Sequence, residues 1–98
     1  MFEIKLFLGT AAAEAGSALG YPAGERHALL VFCRQLRGSE PDWALARSVT
    51  HEAGWREIEF LKASTVDPTS ADLDQATHLS CKDAMAQGSA IIVYADAV

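Results

Sequence analysis

The stretch FCRQLRGSEPDW, residues 32–43, gathers a thiol, two guanidinium groups, a glycine and a hydroxyl just ahead of a helix-start pattern. A thiol near a helix N-terminus loses its proton more readily, and arginines can fork onto an oxyanion, so Cys33 with Arg34, Arg37 and Ser39 could form an anion cradle around a nucleophile. The spacing argues against the strictest version of that idea. A cysteine-phosphatase loop needs an arginine six positions after its cysteine, where this chain has Ser39, and Gly38 is the only glycine available to build a phosphate nest. No Cys-x-x-Cys redox pair accompanies Cys33 either. The residues therefore predict a buried structural cysteine where a strand surfaces and turns, with Cys33 as the one weak catalytic candidate.

Metal chemistry finds little to work with. His27 and Cys33 share a face of one strand but lie about 20 Å apart at ~3.3 Å per residue, too far for a common ion. His78 and Cys81, three apart on a helix, supply two ligands where structural zinc wants four. Asp67, Asp72, Asp74 and Asp83 lack the glycine and closing glutamate of a calcium loop and suit a helix start instead. Glu57 and Glu59 alternate on one strand face as a solvated pair would, and His51-Glu52 lacks the second histidine of a zinc hydrolase. No nucleotide-binding glycine pattern follows a strand, so neither a metal nor a cofactor is expected.

The elements that would position these residues read as follows. Phe2, Ile4, Leu6 and Leu8 alternate with polar neighbours as in a half-buried strand over 2–8. Residues 10–26, rich in alanine and glycine, read as a flexible or binding arm in which Tyr21 is the natural anchor, flanked by Arg26, Arg34 and Arg37. ALLVFC, residues 28–33, is apolar on both faces and predicts a central strand. Ser39 caps a helix that runs through Trp43, Ala46, Val49 and Ala53 to Gly54. A third strand covers 56–66, and Thr69 or Ser70 caps a second helix with Leu73, Ala76, Ser80 and Ala84 on one face, closed by Gly88. The unbroken run Ile91–Tyr94 predicts a fourth strand near the centre of the sheet.

That order predicts one α/β (α+β) domain over 1–98. It is a two-layer sandwich of about four strands with two helices mainly on one face. The last three strands form a parallel unit, or the first strand inserts centrally in a ferredoxin-like or related arrangement. The uncovered face then predicts a homodimer. A net charge of −5 without a basic stripe argues against nucleic acid. The longest apolar run, Ala28–Cys33, is far short of a membrane span of roughly 20 residues, and no secretory signal opens the chain. Two distant cysteines point to a reducing, cytoplasmic setting. The expectation is a small, self-associating, non-catalytic interaction or regulatory module. The alternative is a small enzyme or anion-binding domain using the Cys33–Ser39 turn.

Overall fold

A long antiparallel hairpin forms the middle of the molecule. The computed structural model describes residues 1–15, 20–67, 69–70 and 72–97. In chain order they form β1 (Phe2–Ala13), β2 (Arg26–Leu36), α1 (Trp43–Glu52), β3 (Trp55–Val66), α2 (Gln75–Gln87) and β4 (Ser89–Ala97). The sheet order is β3-β1-β2-β4, and every neighbouring pair is antiparallel. The expected parallel unit therefore does not form, while the first strand does lie centrally. The physical reason is the hairpin itself: β1 and β2 pair from Phe2↔Leu36 to Ala12↔Arg26, which leaves one free side on each for β3 and β4.

The two helices lie on opposite faces of this sheet, which corrects the expectation of a two-layer sandwich. Ala46 of α1 packs with Phe7, Leu29, Val31, Cys33 and Trp55, whereas Cys81 and Ala84 of α2 pack with Ile4 and Phe32. Val31 and Cys33 flank Phe32 on β2, and successive side chains of a strand point to opposite faces. A central strand that is apolar on both faces demands a cover on each, and one helix supplies each cover. Neither face of the sheet is wholly bare, so the uncovered face from which a homodimer was expected does not exist. No described helix is long and apolar enough to cross a membrane.

β1 runs further than its alternation suggested and takes residues 10–13 out of the expected arm. Small side chains are the cause: Ala11 and Ala13 are buried in the cluster that holds the Trp55 indole. A Cβ at Gly9 would collide with the Glu59 carbonyl and come within 2.8 Å of the Phe60 ring. Tertiary fit thus overrides the weak strand propensity of alanine. What remains of the arm is residues 14–25, of which 16–19 lie outside the described residues.

Both helix caps fall later than the sequence suggests. Asp42 caps α1 by accepting from the Leu45 N–H at 3.0 Å, and Asp74 caps α2 by accepting from the Thr77 N–H at 2.7 Å. Gly54 and Gly88 do take the left-handed conformation expected at the two stops, each at φ 103°. β4 is an edge strand, not a central one. Its apolar run is explained by its faces, since Ile91 and Val93 join the α1-side cluster while Ala90 and Ile92 join the α2-side cluster.

Candidate functional site

The Cys33–Ser39 turn does not assemble as a cradle. Cys33 is fully buried beneath α1, and its thiol is pushed up to about 11 by burial, with the Asp42 charge adding to the effect. A thiol so placed stays protonated at neutral pH. Arg34 points to the opposite face. Its Nη1 donates to the Met85 carbonyl at 2.8 Å, in the last turn of α2, and the guanidinium sits 4.7 Å from the Phe2 ring centroid. Arg37 donates its backbone N–H to the Met1 carbonyl at 3.0 Å, and its exposed guanidinium lies over Met1, with Nη1 3.4 Å from the sulfur. Ser39 Oγ donates to the Leu36 carbonyl at 2.6 Å and so tightens the turn.

The residue that builds this turn is Gln35, which sequence reasoning passed over. Its Nε2 donates to Ser39 Oγ at 3.1 Å and to the Glu40 carbonyl at 2.8 Å, while its Oε1 accepts from the Asp42 N–H at 3.0 Å. The available signal was an amide two residues beyond Cys33, on the same inward-facing register. Beside it, Glu3 accepts from the Gly38 N–H and lies 3.2 Å from Lys5 Nζ, and those two contacts hold its carboxyl below the usual range.

At the other end of the hairpin the predicted residues are tied into the chain. Arg26 Nη2 donates to Thr10 Oγ1 and to the Glu57 carbonyl, both at 2.9 Å, with the Glu59 carboxylate at 3.8 Å. This pins the bulged stretch of β3, where Glu57 has φ 51°. Tyr21 is half-buried, its ring centroid 4.4 Å from that of His27 and 5.8 Å from that of Trp55. His27 is fully buried and donates from Nδ1 to the Tyr94 carbonyl at 2.8 Å. Its Nε2 lies 2.8 Å from Glu25 Oε1, within ion-pair range but off the line of a hydrogen bond. Arg26, at the Tyr21 end, is thus eight residues along β2 from Arg34, or roughly 26 Å at ~3.3 Å per residue, and Arg37 lies beyond the end of β2. The expected flanking of Tyr21 by all three arginines does not occur.

Two of the acidic candidates have structural work. Asp67 is held below the usual carboxylate range by the Thr69 hydroxyl and N–H, and Asp74 likewise by Thr77. His78 lines a shallow surface depression over Cys81, whose thiol is fully buried and raised by that burial. Among the described residues, no three histidine, cysteine or acidic side chains converge as a metal site.

One surface feature stands apart. Phe2 and Leu36 face each other across the hairpin, and with Trp43 and Leu45 they line a single open depression. These four are 48%, 63%, 43% and 36% exposed, far more than side chains of their kind need be. Trp43 is anchored from beneath by the Phe7 ring, edge-on at 5.2 Å, so its exposed side is presented rigidly. Glu40 and Asp42 stand on the rim, and Arg34, which donates to the Met85 carbonyl, also lines it. The chain has no match among protein-family models, curated proteins or solved structures.

Proposed function

We propose that this chain is a small cytoplasmic, non-catalytic interaction module that docks another protein on the depression formed by Phe2, Leu36, Trp43 and Leu45. The observation that carries this reading is the exposure of four large apolar side chains side by side at one end of the hairpin. Burying them on a partner recovers roughly 25 cal/mol per Å² of apolar surface, and a rigid tryptophan is a common centre of such contacts. The acidic rim of Glu40 and Asp42, on a chain of net charge −5, selects an apolar segment flanked by lysine or arginine. An anion-binding or thiol-based activity has less support, because the Cys33 thiol is buried under α1 while the Arg34 guanidinium is turned to α2.

The test is a photo-cross-linking amino acid placed at position 36 in the cells that make the protein. One dominant protein adduct is expected, lost on Leu45→Asp and weakened by high salt, with no such adduct from position 52. Absence of an adduct, or an adduct indifferent to Leu45→Asp, overturns the reading.

A further inference from the structure

We infer that two copies of the chain associate through the outer edge of β4, antiparallel about a two-fold axis at Ile92, joining their sheets into one. This rests on the interaction-module reading but uses a different surface from the Trp43 depression. Among the described residues, β3 and β4 each have one side unpaired in the sheet order. The β3 edge is guarded: its register against β1 shifts twice, Glu57 sits at φ 51°, and Arg56, Glu57, Glu59 and Lys62 place charge along it. Bulges and charges are how natural sheets blunt an edge. β4 has its guards, a register shift and Asp96, only past Val93; Ser89–Val93 pairs with β2 without a shift and contains neither charge nor proline.

Backbone parity says which groups are free. The Arg34 N–H donates to the Gly88 carbonyl, so even-numbered residues of β2 turn their peptide groups towards β4. Through Phe32↔Ala90 and Leu30↔Ile92, the peptide groups of Ala90 and Ile92 turn inward, and those of Ser89, Ile91 and Val93 turn outward. Antiparallel strands exchange hydrogen bonds only between outward-turned residues placed opposite each other. A two-fold at Ile92 does this by setting Ile91 against the partner's Val93. It also sets Tyr94, 49% exposed, against the partner's Ala90, a large side chain over a small one.

A second copy suits this edge better than a foreign strand for two reasons. Ser89–Ala95 holds no carboxylate, so a chain of net charge −5 meets itself along this segment without opposing like charges. The two-fold also consumes both β4 edges at once, leaving only guarded β3 edges outside and closing the assembly at two copies.

Sedimentation velocity of the full chain from about 1 µM to about 1 mM tests the inference. A dimer is expected. Tyr94→Lys and Val93→Pro, which removes an outward N–H and leaves the β2 ladder intact, should each weaken it at least about tenfold while far-UV circular dichroism is unchanged. Leu61→Lys on the β3 edge should leave it intact, and Ile92→Cys should yield a covalent dimer on mild oxidation. A monomer at every concentration, a dimer indifferent to Tyr94→Lys, or one dissolved by Leu61→Lys refutes the pairing. Cross-linking from position 36 separates the two readings. A monomeric chain that keeps its adduct refutes the edge pairing alone, and a dimer without the adduct refutes the docking surface alone.

Discussion

The two ends of the β1–β2 hairpin are built on opposite terms. At the Arg26 end, His27, Tyr21 and Trp55 pack together and the guanidinium of Arg26 is spent on Thr10 and β3. At the Leu36 end, polar side chains also satisfy one another through Gln35, but Phe2, Leu36, Trp43 and Leu45 are left in water. The difference teaches where to look for function. Buried polar groups with partners within the chain hold the fold, whereas large apolar groups without cover are available to something else.

Substitutions sharpen that contrast in order of size. Trp55→Ala and Phe32→Ala remove fully buried aromatics, one from each face's core, and should each cost about 3–5 kcal/mol in urea unfolding. Costs below about 1 kcal/mol for either would mean that its face has no core. His27→Leu keeps bulk at the sealed end but leaves the Tyr94 carbonyl without its donor, and about 1–3 kcal/mol should be lost. No loss would show that this end is held by packing alone.

Cys33 offers a gentler test through pH. Its thiol is neutral in the folded chain up to about 11 against an ordinary 9.0, so above pH 9 the unfolded state gives up its proton first. The folded state then holds more protons, and stability should fall as pH rises from about 9 to 11, a decline flattened in Cys33→Ala. Alkylation of native Cys33 at pH 7 should be slow, and rapid reaction would reopen the anion cradle. Smallest of all, Leu36→Ser and Glu57→Ala, both at exposed positions, should change stability by no more than about 0.5 kcal/mol, although Leu36→Ser should abolish docking. A large stability loss at Leu36 would move it from the docking surface into the fold.

Much of the element order is readable from patterning: four strands and two helices stand near their expected places, and Gly54 and Gly88 end the helices as anticipated. The errors share one cause, which is that a residue's neighbours in space are not in its sequence window. Ala11 and Ala13 look like an arm because nothing local reveals the Trp55 indole they accommodate. Ile91–Val93 look central because apolarity on both faces records two covering helices and is silent on strand order. Arg34 and Arg37 look like a clamp, yet alternation along a strand sends Arg34 to α2 while Cys33 stays under α1.

By itself the sequence determined which segments extend, which coil, and which face of each is apolar, because those properties follow from period, propensity and caps acting over a few residues. Only the tertiary structure decided that the hairpin is central, that the helices split between two faces, and that Phe2, Leu36, Trp43 and Leu45 meet in water. Those outcomes depend on which distant strands exchange backbone hydrogen bonds, and every strand carries the same backbone groups whatever its side chains are.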